Sequence, residues 1–300
     1  MDPMGLIYTA LVVLQTLLVL TGGAVRLTGS GLGCPTWPEC VSGSIDPVPH
    51  QAQGALHSWI EFGNRLLTVL LFIVIIAAIA GAFRWGRTRS DWKMIRILAI
   101  SQFLGIVGQI VLGGITVLTK LNPFAVSSHF LLSIVLIGAS MSLRQRMLAK
   151  PRVRVQPTTL WLIRTLLGLT AVVIMLGTVV TGSGPHAGDA QAKRYHIDPR
   201  IISWAHADTV IALISLTIGL FLLIKVSENT ENRKLMGRQT ALFLGICLGQ
   251  GLIGYIQYFT ALPEALVAAH LLGAACIWLA MWNIAFSSNA LSKDADVVNS

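Results

Sequence analysis

Eight stretches of roughly twenty or more mostly apolar residues, spread over the whole chain, constrain its fold more than any other feature. They lie near residues 5–27, 58–83, 95–119, 125–147, 159–181, 200–225, 238–260 and 264–287. A helix needs about 20 such residues to cross the hydrocarbon of a bilayer, and in lipid a chain must satisfy its backbone as helices or as a closed barrel. Composition agrees: 54% of the 300 residues are hydrophobic and 12% charged, whereas soluble domains carry about 25% charge. The first stretch lacks a basic leader and a clear cleavage site, so it reads as a retained helix. The expected class is an all-α membrane protein with eight transmembrane helices.

A net charge of +9 invites a nucleic-acid reading, but the distribution excludes it. Arg84, Arg87, Arg89, Lys93 and Arg96 fall between helices 2 and 3. Arg144, Arg146, Lys150, Arg152 and Arg154 fall between helices 4 and 5, and Lys225, Arg233, Lys234 and Arg238 between 6 and 7. The opposite loops hold few cations. This is the positive-inside pattern. It places both termini in the cytoplasm, the protein in the plasma membrane, and the loops 28–56 and 182–199 outside.

The chain also repeats itself. Thr28-Gly29-Ser30-Gly31 recurs as Thr181-Gly182-Ser183-Gly184, and His129 recurs as His270, 141 residues on. A step back of 142 residues from His206 lands on Asn64. The expected architecture is two tandem four-helix bundles related by internal duplication, residues 1–150 and 151–288, joined by the basic linker Lys150–Gln156. A disordered cytoplasmic tail, 289–300, follows. With four helices per copy, both copies share one orientation, and the axis relating them lies along the membrane normal.

His129, His206 and His270 sit in the outer portions of their helices, where an ionisable side chain is costly and so marks function. A histidine bonded to a neighbouring helix or facing interfacial water is the competing explanation; recurrence at matched intervals tells against it. His206 and His270, at similar depth on helices 6 and 8, form a good axial pair for a haem iron. Zinc would want four ligands, and these helices offer no companion cysteine or carboxylate. In the first half Asn64 replaces the second imidazole, and an amide is a poor ligand for haem iron. His57 shares its face but lies about 10 Å away along the axis. Either His129 is the only strong ligand there, or the haem shifts outward to meet His57; the first reading is preferred.

Glu61 and Arg65 form an i, i+4 pair on that face. Together with His57, Asn64 and Thr68 they make a polar stripe suited to lining a cavity, although a self-neutralising ion pair would also account for them. Arg65 could bind a carboxylate such as a haem propionate, and Glu61 could handle protons or stabilise a cation. Cys34 and Cys40 lie on the oxidising side and can form a disulfide, read as structural pinning of the loop ahead of a redox role. Cys247 and Cys276 read as packing residues, and glycines 113, 114, 249, 251 and 254 as sites of close helix approach.

Three segments resemble the haem A synthase family: Gly29-Ser30-Gly31-Leu32-Gly33-Cys34 with Trp37-Pro38-x-Cys40, Ile60-Glu61-Phe62-Gly63-Asn64-Arg65, and Thr181-Gly182-Ser183-Gly184-Pro185-His186-Ala187-Gly188-Asp189. The resemblance implies oxidation of haem O to haem A at the C8 methyl group, through a hydroxymethyl to a formyl. It implies substrate haem in the first half and a haem b cofactor in the second, with His206 and His270 as iron ligands, His129 facing the substrate iron and Glu61 essential to turnover. Cys34 and Cys40 match the family's outer-loop cysteine pair. Many relatives carry His where this chain has Asn64, and the second outer-loop cysteine pair of some relatives is missing, since residues 182–199 contain no Cys. The implied partners are the bilayer, an unidentified electron donor or acceptor and a haem O synthase, with no nucleic acid. Rival readings of the same residues are a di-haem b-type electron-transfer protein and a haem transporter.

Overall fold

A computed structural model describes residues 3–189 and 192–290. Each apolar stretch is a helix: α1 Pro3–Leu27, α2 Ala55–Arg84, α3 Trp92–Leu118, α4 Pro123–Met147, α5 Pro157–Ser183, α6 Pro199–Ser227, α7 Thr230–Phe259 and α8 Glu264–Ser287. All eight are long and apolar enough to cross a membrane.

Local chemistry sets the helix starts. Pro123, Pro157 and Pro199 open α4, α5 and α6, where the missing N–H would have no partner in any case. Asn122 and Asp198 cap two of these by accepting from Phe124 N–H (3.0 Å) and Arg200 N–H (2.8 Å). The largest departure from the sequence reading is α7, which begins at Thr230 rather than near 238. Asn229 caps it, accepting from Asn232 N–H at 2.9 Å. Arg233 and Lys234 therefore ride a polar helical extension, which hydropathy alone reads as loop.

The helices close into two rings. α1 and α3 each pack on α2 and α4; α5 and α7 each pack on α6 and α8. Tyr8, Ile75, Ile95 and Leu143 fill the first core, and Ile163, Leu213, Phe243 and Met281 the second. α8 joins the rings by packing on α1 and α4. At that seam Trp278 and Trp282 lie on Gly138, where a Cβ would stand 3.1–3.2 Å from their rings. Trp282 Nε1 donates to Ser142 Oγ and Gln145 Nε2 to Asn283 Oδ1, both at 2.6 Å.

The two halves share a turn. Lys120 and Leu121 link α3 to α4 with φ of 52° and 59°; Ala261 and Leu262 link α7 to α8 with 61° and 60°. Leu121 N–H donates to Thr116 C=O and Leu262 N–H to Gln257 C=O, each at 2.8 Å. Both partners recur at the interval that separates His129 from His270.

At the basic end a short strand β1 (Val153–Val155) pairs in parallel with β2 (Ser288–Ala290). The linker and the start of the expected tail are therefore ordered against each other, with Val155 fully buried. The rest of that tail, 291–300, lies outside the described residues.

Candidate functional site

His206 on α6 and His270 on α8 are brought together, ring centroids 6.5 Å apart and planes at 70°. Two imidazoles binding one metal from opposite sides separate their ring centres by roughly 6–6.5 Å, given metal–nitrogen bonds of about 2 Å. The spacing thus fits one iron between the rings. Each ring also lies on bare backbone of the preceding helix. A Cβ at Gly177 would stand 3.4 Å from His206 Cε1, and one at Gly254 3.4 Å from His270 Cε1. His129 on α4 lies on Gly113 of α3 at the same 3.4 Å. Among the described residues, Nδ1 of His129 and of His270 is buried without a hydrogen-bond partner. An imidazole has one polar atom at each ring nitrogen, and leaving one unpaired in an apolar interior costs about 1–3 kcal/mol. Imidazoles with an unspent ring nitrogen, two of them one metal's width apart, are a donor set that fits a haem.

Among the described residues, no imidazole pairs with His129 as His206 and His270 pair with each other. Asn64, at the position that matches His206, has its Nδ2 4.0 Å from a Cβ at Gly22 of α1, and its Oδ1 accepts from Thr21 Oγ1 at 2.7 Å. His57 is engaged elsewhere, its Nδ1 hydrogen-bonded to Ser30 Oγ at 2.9 Å.

Glu61 and Arg65 form the expected ion pair, 2.7 Å, with Glu61 only 7% exposed. Both also hold the first outer loop. The second Glu61 oxygen accepts from Cys34 N–H at 2.7 Å. Arg65 donates to the carbonyls of Cys34 (3.1 Å), Thr36 (3.2 Å) and Glu39 (3.3 Å). The guanidinium, which the sequence offered to a propionate, is spent on loop carbonyls. Thr68, the last member of the stripe, returns its hydroxyl to Asn64 C=O at 3.4 Å.

That loop is built to lie flat on the first bundle. Cys34 and Cys40 form a disulfide. Gln51 Nε2 donates to Gly33 C=O at 2.5 Å. A Cβ at Gly33 would collide with the His57 carbonyl, and one at Gly114 would stand 2.8 Å from the Trp37 ring. Of the glycines read as close-approach sites, 113, 114 and 254 each receive a ring, whereas 249 and 251 have no neighbour within 4 Å of a Cβ. Cys247 is buried and Cys276 half-buried, both as free thiols.

The second outer loop crosses onto the first half. Gly31 N–H donates to Gly188 C=O at 3.0 Å. Tyr195 donates to Pro123 C=O and contacts Ser127 Oγ, both at 3.0 Å. Arg26 donates to Thr181 C=O at 2.8 Å and to His186 C=O. Ala187 and Ala192 pack with Leu121, Leu32 and Val126. Sequence reasoning missed Arg26, Ser30, Thr21 and Tyr195; the doubled Thr-Gly-Ser-Gly was the one available signal, since Arg26 binds the carbonyl of its second Thr.

Fold and site together define a multi-pass helical membrane protein that brings two histidines together within its second bundle. Residues 6–202 match the family of cytochrome oxidase assembly proteins, COX15-CtaA, and the chain belongs to it. It is 30% identical over 149 residues to a protein named Heme A synthase from Geobacillus thermodenitrificans, covering 50% of this chain and 43% of the relative. It is similar to proteins of the same name from Lysinibacillus sphaericus (31% over 132 residues; 43% and 40%) and Rhodopseudomonas palustris BisB5 (26% over 207 residues; 60% and 57%). The chain thus spans less than two thirds of the length of these relatives.

Proposed function

We propose that the chain is a haem A synthase, an oxidoreductase that converts the C8 methyl group of haem O to a formyl group through a hydroxymethyl stage. The carrying observation is the His206–His270 pair at 6.5 Å, in a family of cytochrome oxidase assembly proteins with relatives named Heme A synthase. In this reading His206 and His270 hold a haem b in the half 151–288, and when bound that group supplies a one-electron redox centre.

The half 1–150 takes haem O as substrate, with His129 toward its iron. A resident cofactor benefits from two ligands; a substrate that must leave benefits from one, which is what Asn64 achieves by withholding an imidazole. Glu61 stabilises the positive charge that develops as the methyl is oxidised, its carboxylate fixed beforehand by Cys34 N–H and Arg65. Arg65 is a positioning residue that holds Glu61 and clamps the loop over it. Each stage removes two electrons and two protons. In the first a water molecule supplies the oxygen (methyl + H2O to hydroxymethyl + 2 H+ + 2 e−). In the second the hydroxymethyl loses 2 H+ + 2 e− to give the formyl, and the electrons leave to an acceptor outside the chain. Both termini lie in the cytoplasm, the sites lie toward the outer face of the plasma membrane, and a haem O synthase delivers the substrate.

Pigments extracted from a haem O-producing host with and without the gene test the reading. Haem A should appear only with the gene; haem O unchanged in both would end it.

A further inference from the structure

The end of the first bundle opposite the outer loops carries more cations than its carboxylates can balance. Between Arg84 and Arg96 the one acidic residue is Asp91, and Arg146 of α4 takes it at 2.5 Å. Among the described residues this leaves Arg89 with no carboxylate. Its Nη2 donates to the Arg146 carbonyl in the last turn of α4, which fixes the guanidinium; among the described residues most of its five donors find no other partner. Next to it is a pocket of about 180 Å³, lined by Met4, Trp85, Thr88, Arg89 and Met147. These residues come from α1, the end of α2, the 3₁₀ turn Gly86–Thr88 with the residue after it, and the end of α4. Behind it the packing is close: a Cβ at Gly86 would stand 2.9 Å from Ile95 of α3.

Aromatic rings cluster at the same end. Phe83 is 42% exposed and Trp85 and Trp92 each 37%, and the Arg96 guanidinium lies 4.6 Å from the ring centres of both Phe83 and Trp92. Exposed aromatics at the end of a spanning helix lie at the headgroup level of a bilayer.

We propose that this pocket binds the phosphodiester of an anionic phospholipid headgroup, with Arg89 as the charged donor and the Thr88 hydroxyl beside it. An unneutralised guanidinium in a preformed pocket selects an anion. The surrounding aromatics select a lipid over a soluble anion, and basic pockets between spanning helices hold such headgroups. Inorganic phosphate shares the recognition chemistry and is the source to be separated by experiment.

The full-length protein, purified in mild detergent and stripped of lipid, is offered phosphatidylglycerol, phosphatidylcholine or inorganic phosphate, and retained lipid is counted by native mass spectrometry. Phosphatidylglycerol should be retained over phosphatidylcholine, and millimolar phosphate should not displace it. Arg89→Gln should lower retention about fivefold. Arg89→Lys, which keeps charge and bulk, should restore most of it, and Lys234→Gln, at the second bundle, should leave it unchanged. Equal retention of the two lipids, displacement by phosphate, no loss in Arg89→Gln, or equal loss in Arg89→Lys or Lys234→Gln would each overturn the assignment.

Discussion

The imidazoles of His206 and His270 stand 6.5 Å apart with their planes at 70°, each resting on a glycine of the helix before it. Groups that merely orient a metal ligand are worth about 10- to 100-fold in affinity. Replacing either histidine with Ala should therefore cost at least about 100-fold in haem retention by the second half, measured as the haem-to-protein ratio and loss of the low-spin spectrum. Gly254→Ala places a methyl at ordinary contact distance and should be tolerated. Gly254→Leu must displace the His270 ring and should alter the spectrum without unfolding the chain.

Glu61 is held from two sides, and the amide of Gln can still accept from Cys34 N–H. Glu61→Gln should therefore keep the loop seated and the haem bound while haem A formation stops; in Glu61→Ala activity should be equally absent. Extracted pigments report the outcome, and normal haem A in either variant would remove Glu61 from the chemistry.

Arg65 neutralises a nearly buried carboxylate and binds four loop carbonyls, those of Cys34, Thr36, Pro38 and Glu39. Arg65→Leu strands the Glu61 charge and should destabilise the protein by about 3 kcal/mol, seen as a lower thermal midpoint and as proteolytic cleavage within 34–40. Adding Glu61→Leu removes the stranded charge and should recover part of that loss. A double variant no more stable than the single one would show that the loop contacts, not the ion pair, dominate.

Asn64 marks the incomplete slot. In Asn64→His the Thr21 hydroxyl loses an acceptor but retains Leu17 C=O at 3.0 Å, so stability should fall by only about 1 kcal/mol. The new imidazole gives the substrate haem a second ligand. More haem O should copurify, with a larger low-spin fraction, and the yield of haem A should fall. Unchanged copurification would mean that the ligand count does not govern release.

Helix number and the histidine pair were legible because apolar runs and repeated residues are local properties of a sequence. What lay in three dimensions was not. The start of α7 was missed because a polar helical extension carries no hydropathic signal. The β1–β2 pair joins two three-residue segments from distant parts of the chain, too short to show a pattern. Arg65 could be read as facing a cavity because nothing in the order of residues says that the loop after Cys34 folds back onto it. The glycines beneath the histidines become meaningful only once the register of neighbouring helices is known.

The second outer loop, seated on the first bundle through Gly188 and Tyr195, has a consequence in time. During synthesis α1 to α4 are made before α5, so the end of the first bundle that carries Cys34 and Cys40 stays uncovered until Gly188 and Tyr195 have been made. The first half is finished last, by residues made after all four of its own helices.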